Sequence, residues 1–333
     1  GIILKYMSTQ IESYHNKSQS TMDYNFQDIE GERFICINAL ETIPTFFVSM
    51  ISAQDHWFFT ATNGALSAGR GSPGNSLFPY YTVDKIINNS NCTGPQTIIK
   101  VANRVWEPFK SSSERIFSIS RKIYKSINGD TLIFEEINHD LELTFSYTWS
   151  TSEKYGFIRR SKLANFSTND VEITVIDGLS DFLASGVDDR THLAYSCLTD
   201  AYKVSELEPS NQLLVHRMVA SLVDEAIPLE CLKATVLWSY GWDDASILIQ
   251  QSDVEQFLND PSFEGSNFSR GLRGCYYNAG SFQLRSNGVK SWSIVADIDK
   301  TQSDVAGLNI ALQNKDALWQ SVIEDITNGR NAL

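Results

Sequence analysis

Between Leu141 and Trp149 the chain reads LELTFSYTW, in which Leu141, Leu143, Phe145, Tyr147 and Trp149 alternate with Glu142, Thr144, Ser146 and Thr148. A period of two marks a strand with one packed and one wet face. The theme recurs along most of the chain. GDTLIFEEINHD reads as a preceding strand that runs into a turn at Asn138 to Asp140. Residues 116–127, 171–179, 213–223, 232–242 and 290–298 read as further strands. Asn128-Gly129 and Asn287-Gly288 are hairpin dipeptides, since both residue types tolerate positive φ. NFSTND, at 165–170, is a polar turn without glycine. Many strands and few helices, with no regular strand–helix alternation, predict a mainly β chain built as a large antiparallel β-sandwich.

The last thirty or so residues change period. In SDVAGLNIALQNKDALWQSVIEDITNG, Leu318, Val322, Ile323 and Ile326 share one helical stripe. Asp316 can cap the start of this helix, and Gly329 sits where a helix stops. The expected division is a sandwich over 1–300 and a helical linker over 301–333. The apolar stripe must rest on something: the sandwich itself, or a further helical domain.

With 333 residues, 42% of them hydrophobic, the chain can bury a large core without staples. Its formal net charge of -13 repels phosphate backbones and anionic lipid, so nucleic acid and membrane surfaces are poor partners. A neutral sugar is indifferent to that charge. No apolar run approaches the ~18 residues of a membrane span, and the start, GIILKYMSTQ, reads as too short an apolar patch for a signal peptide. The five cysteines are scattered without a C-x-x-C pair and read as reduced, mostly buried thiols of a cytoplasmic protein.

GRGSPG, at 69–74, satisfies G-x-G-x-x-G letter for letter. A dinucleotide site needs a strand before the first glycine and a helix opening at the third. Asn63-Gly64 ends the upstream strand HWFFTAT too early, while Pro73 and Pro79 oppose a helix downstream. The match is accidental, and no cofactor is expected. The same stretch brings Arg70, Phe78, Tyr80, Tyr81, Asp84 and Lys85 into what reads as a loop. Arginine and aspartate suit sugar hydroxyls, and an aromatic ring suits the C–H face of a pyranose. An ordinary loop wrapped over a sheet edge is the simpler account of these residues alone.

DHWFFTATNGALSAGRGSPGNSLFPYYTVDK, the block from Asp188 to Gly241 and the block from Val295 to Gly329 together resemble the amino-terminal region of the cellobiose and chitobiose phosphorylase family. The resemblance runs through most of the chain, in the expected order. It implies a galactose-mutarotase-type β-sandwich, then a helical linker, then an (α/α)6 barrel that bears the catalytic carboxylate. The phosphorylases of the group cleave a β-glucosidic bond with inorganic phosphate, and other members are hydrolases or synthases. On this reading the chain is a non-catalytic amino-terminal domain of a glycoside phosphorylase or hydrolase. It would brace the barrel, shape one wall of its active site and carry homodimer contacts. No catalytic residue of the family can be carried over. The partners implied are a glucan or gluco-oligosaccharide and the barrel of the same protein.

Two other classes remain, a self-contained aldose-1-epimerase-like mutarotase and a stand-alone glycan-binding module. A mutarotase needs an acid and a base at the sugar. His15 and His56 have no obvious partner in the sequence, and His139 lies in the acidic turn EEINHD with Glu135, Glu136 and Asp140. His192 lies near Asp188, Asp189 and Arg190, and His216 faces the same side of its strand as Leu214 and Met218, as a core histidine would. Asp297, Asp299 and Asp304 lack the glycine and terminal glutamate of a calcium loop, so no metal is expected. In WSYGW, Trp238, Tyr240 and Trp242 fall on one strand face. Such a row either stacks on sugars across a concave sheet or fills the core between sheets, and a sandwich's need for large inner residues favours core. The carbohydrate-contact candidates are Arg70, Tyr80, Asp84 and Lys85, with Asp200, Tyr202 and Lys203 as a second cluster.

Overall fold

The two faces of LELTFSYTW part company on the strand Leu143–Ser152. The computed structural model describes residues 22–80, 82–186, 196–219 and 233–333, with the backbone alone at 196 and 197. His15 and His192, with Asp188, Asp189 and Arg190, lie outside the described residues.

Among the described residues, neighbouring strands are antiparallel and form three sheets. The largest has eleven strands. It runs in space from Tyr24–Ile29 and Glu32–Ile37 through Ile119–Ser126, Leu132–Asn138, Leu143–Ser152 and Gly156–Asn165. It continues with Val289–Thr301, Lys233–Tyr240, Leu213–Met218, Lys203–Glu208 and Phe268–Arg270. A five-stranded sheet, Ser246–Leu248, Gly274–Leu284, Val171–Phe182, Gly94–Val101 and Arg104–Trp106, covers its inner face. A four-stranded sheet of Phe47–Met50, His56–Ala61, Leu66–Arg70 and Ser76–Phe78 packs its own buried side into the same core. The sandwich expected from the alternating pattern is present.

Inward-facing Phe145, Tyr147 and Trp149 meet Ile173, Val175, Leu179 and Tyr276 of the opposite sheet. One polar network is sealed among them. Asp177, fully buried, accepts hydrogen bonds from Arg159 at 2.8 Å, Ser161 at 2.8 Å, Trp292 at 2.7 Å and Thr97 at 2.6 Å. Four donors are what a carboxylate needs when it is taken out of water. Next to it in the chain, Gly178 lets two strands approach: a Cβ there would lie 1.9 Å from the Tyr276 carbonyl oxygen. Gly178→Ala is therefore expected to destabilise the fold by about 3 kcal/mol, the upper end of overpacking costs, read as a lower urea midpoint at unchanged slope.

Several expectations need correcting. Asn287-Gly288 does not close a hairpin within one sheet, because it leads from Gly274–Leu284 in the five-stranded sheet to Val289–Thr301 in the eleven-stranded one. Positive φ, 57° at Asn287, suits any tight reversal, and which sheet follows is decided by packing. NFSTND makes the companion crossover. Asn165 Nδ2 donates to the Leu284 and Arg285 carbonyls, and the Ser286 amide donates to Asp170, so the two turns brace each other. Glu136 is not in a turn with His139 but within the strand Leu132–Asn138, where it is buried and accepts from Trp106 Nε1 and the Phe109 amide, both at 2.7 Å.

At the end of the chain, Thr301 and Asp304 form a capping box that starts the helix Gln302–Ala311. The next helix, Lys315–Asn331, is capped by Asn314 and not Asp316, and it runs past Gly329. Its apolar stripe is already received. Leu318, Val322 and Ile326 are buried against Ile158, Val236, Trp238 and Val295 on the outer face of the large sheet. Of the two resting places the sequence left open, the sandwich is the one taken.

Candidate functional site

The outer face that the helix leaves uncovered forms a groove of about 560 Å³. Its lining comes from eight neighbouring strands, from Gln27 on Tyr24–Ile29 to Tyr240 on Lys233–Tyr240, and from Trp319 and Arg330 on the final helix. Eight flat strands about 4.8 Å apart would spread over about 34 Å. Residues from both ends of that span line the one groove, which therefore runs across the strands on this face. The volume lies in the range of small-molecule sites.

The register of the sheet arranges the floor. Tyr124, Ile133, Thr148, Arg160, Ser293 and Tyr240 stand opposite one another on successive strands, with Arg160 between Thr148 and Ser293. A second row reads Glu135, Ser146, Lys162 and Ser291. Directly opposed side chains lie within reach of one ligand. Ser146 and Thr148 are the wet face of LELTFSYTW, so one strand serves the core with one face and the groove with the other.

The ends of the floor are aromatic. Tyr240 and Trp319 stack at 4.8 Å with their planes 12° apart, and both line the groove. Tyr240 donates to Asp316 at 2.9 Å, and that hydrogen bond pushes its hydroxyl pKa above the ordinary value. At the other end Tyr124 donates to Glu135 at 3.0 Å. Arg330 ties the helix down by ion pairs to Glu32 at 3.0 Å and Asp130 at 3.2 Å. Burial raises the Glu32 carboxyl pKa, with Arg330 pulling the other way. Burial lowers the Arg160 pKa, which Glu30 partly opposes.

The residues singled out from the sequence lie elsewhere. Arg70 ends the strand Leu66–Arg70, and its guanidinium donates to Asp55 at 3.1 Å, to both Asp297 oxygens at 3.1 Å and to the Glu153 carbonyl at 2.8 Å. It fastens the four-stranded sheet to the large one. GRGSPG is the tight connection from that strand to Ser76–Phe78, with Gly71 at φ 69° and no helix after it. Gly69 is needed because Trp57 lies across it: a Cβ would sit 2.4 Å from the indole. Tyr80 is exposed and meets Trp57 edge-on at 5.6 Å. Asp84 and Lys85 lie on a short helix, Val83–Asn88, and not in a loop.

Asp200 and Lys203 form a separate ion cluster. Lys203, almost fully buried, donates to Asp200 at 2.6 Å, and Arg273 reaches Asp200 at 3.0 Å and Asp181 at 3.5 Å. Burial pushes the Asp200 carboxyl up, but Lys203 and Arg273 outweigh it and hold the pKa below the ordinary value. Tyr202 is exposed beside them. Neither cluster supplies a lining residue of the groove.

His216 is a core residue, buried, with Nδ1 2.8 Å from Ser205 Oγ. His56 is buried and does have a partner, Ser52 Oγ at 3.1 Å. The WSYGW row is split. Trp238 lies under the C-terminal helix, Tyr240 faces the groove, and Trp242 enters the core between the sheets beside Trp292. Gly241, at φ 88°, breaks the alternation between the last two. Trp319 was missed, since its helical stripe gave no sign of which strand it would meet. Among the described residues, no group of three His, Cys, Asp or Glu is placed to hold a metal ion, and no helix is long and apolar enough to cross a membrane.

No family model and no curated protein matches the sequence. Among solved structures the chain is similar to a bacterial glucoamylase complexed with acarbose, at 12% identity and a TM-score of 0.45, over 92% of this chain and 40% of that one. It is similar to a human-microbiome protein described as a kojibiose phosphorylase, at 11% identity and a TM-score of 0.39, over 89% of this chain and 31% of that one. It is also similar to a galactose mutarotase-like protein from Clostridium acetobutylicum, at 9% identity and a TM-score of 0.39, over 84% and 99% of the two chains. The chain thus spans less than half the length of the glucoamylase and of the phosphorylase.

Proposed function

We propose that this chain is a carbohydrate-contacting β-sandwich domain of a larger glycoside phosphorylase or hydrolase acting on β-glucosides, and that it is not catalytic by itself. The groove carries the reading. Its hydroxyls, carboxylates and cations can pair with sugar hydroxyls, and the Tyr240–Trp319 pair can stack on a pyranose face. The sequence resemblance supports placing such a domain beside a catalytic barrel of the same protein. A gluco-oligosaccharide should bind in calorimetry, and Tyr240→Ala should weaken it about five- to tenfold, the worth of one stacked ring. Unchanged affinity would remove the groove from the site.

The mutarotase alternative asks for an acid–base pair in the groove. His56, His139 and His216, the histidines whose side chains are described, do not line it. That favours recognition over epimerisation, and no acceleration of glucose anomer exchange is expected in polarimetry.

A further inference from the structure

Two groove atoms lack what buried polar atoms almost always have. Arg160 Nε, a donor, and Glu32 Oε1, an acceptor, are both buried without a hydrogen-bond partner. Both residues line the groove, and each bears on the other's charge, so they are near neighbours. The other oxygen of Glu32 is held by Arg330 at 3.0 Å, which fixes the carboxylate in place. Both atoms lie just beneath the wall of one cavity, so a ligand meets them as the two side chains turn towards it, and it must then accept at one atom and donate at another. A hydroxyl does both, and neighbouring hydroxyls on a sugar ring present the two together.

We propose that Arg160 and Glu32 form a specificity clamp for one pair of neighbouring hydroxyls, and that the groove selects uncharged saccharides over acidic ones. The proposal rests on the reading of the groove as a sugar site. A carboxylate or phosphate would satisfy Arg160 but leave Glu32 Oε1 without a donor. It would also enter beside Glu30 and Glu135, while Arg330 is already engaged by Glu32 and Asp130 and, among the described lining residues, Lys162 is the one remaining counter-charge. A hydroxyl pair meets neither obstacle.

The test uses the full chain with two probes of equal length, cellotetraose and a glucuronate-containing tetrasaccharide. Wild type should bind cellotetraose at least about tenfold more tightly, because the glucuronate carboxylate is repelled where it enters beside Glu30, Glu32 and Glu135. Glu32→Gln should weaken cellotetraose binding and narrow or invert that preference, an effect that general loosening of the groove would not produce. Arg160→Met should weaken both probes. Glu32 also anchors Arg330, so the preference of the wild type alone stands as an arm that needs no variant. Equal binding of the two probes by wild type, or a preference unmoved by Glu32→Gln, overturns the clamp and leaves the groove reading intact. Binding of neither probe overturns both.

Discussion

Asp177→Asn is expected to cost about 3–5 kcal/mol of folding stability, because it leaves the Arg159 cation buried without its counter-charge. Arg159 and Asp177 are both fully buried and 2.8 Å apart, and the Arg159 guanidinium lies 4.3 Å from the centre of the Tyr147 ring. Domains of this kind have about 5–15 kcal/mol in hand, so the variant should be marginal at room temperature. Arg159→Met should be costly alone and less costly in combination with Asp177→Leu than the two added, since an apolar pair leaves no orphaned charge. Denaturant midpoints of Asp177→Asn, the two single variants and the double variant measure this, and a loss under about 1 kcal/mol for Asp177→Asn would contradict it. The network also bears on the groove. Asp177 grips Arg159 and Ser161 on one strand and Trp292 on the next, and the opposite faces of those strands present Arg160, Lys162, Ser291 and Ser293.

The second large effect is with acid. Burial is the main cause holding His56 to a pKa of about 4 and His216 to about 3, against 6.5 for a free imidazole, with the Arg70 cation assisting at His56 and Lys203 at His216. Phe157 and Phe182 meet their rings edge-on. A depressed folded pKa means that the neutral imidazoles favour the fold fully above pH 6.5. That contribution is lost as the pH falls from 6.5 towards 4 for His56 and towards 3 for His216. Each costs about 1.4 kcal/mol per pH unit in its window, together about 5 kcal/mol by pH 4.5. Glu32, Glu136 and Asp181 run the other way, because burial raises their pKa and the fold gains as the pH falls and they take up protons. The loss of stability between pH 6.5 and 5 therefore comes from the histidines, and the raised carboxyls offset it. His216→Gln should flatten the slope in urea titrations across that range, whereas an unchanged slope would mean that His216 does not titrate with unfolding.

The sandwich was legible because its strands each carry their own two-sided pattern. Phe145 and Ser146 announce core and surface without reference to any other residue. The groove was not legible in the same way. Thr148, Arg160, Ser293 and Tyr240 stand in one row only once a hairpin and two strands from distant parts of the chain are in register. The WSYGW row had raised a concave sheet as an option, yet only Tyr240 faces the groove, because Gly241 turns Trp242 inward and the helix covers Trp238. The helical stripe of Leu318, Val322 and Ile326 was visible, but its landing place is a property of the outer sheet face. Arg70 drew attention as a polar residue among glycines, and its partner Asp297 lies more than two hundred residues away. A long-range ion pair leaves no local mark in a sequence.

The central claim is that the groove on the outer face of the large sheet is where a saccharide is held. The indole N–H of Trp319, one of seven tryptophans in the chain, reports on it directly. Nuclear magnetic resonance of selectively labelled protein, titrated with cellotetraose, should move the Trp319 indole signal in a saturable way and leave those of Trp106 and Trp149, sealed in the core and away from the groove, in place. Saturable shifts at Trp57 on the four-stranded sheet with Trp319 unmoved would contradict the account.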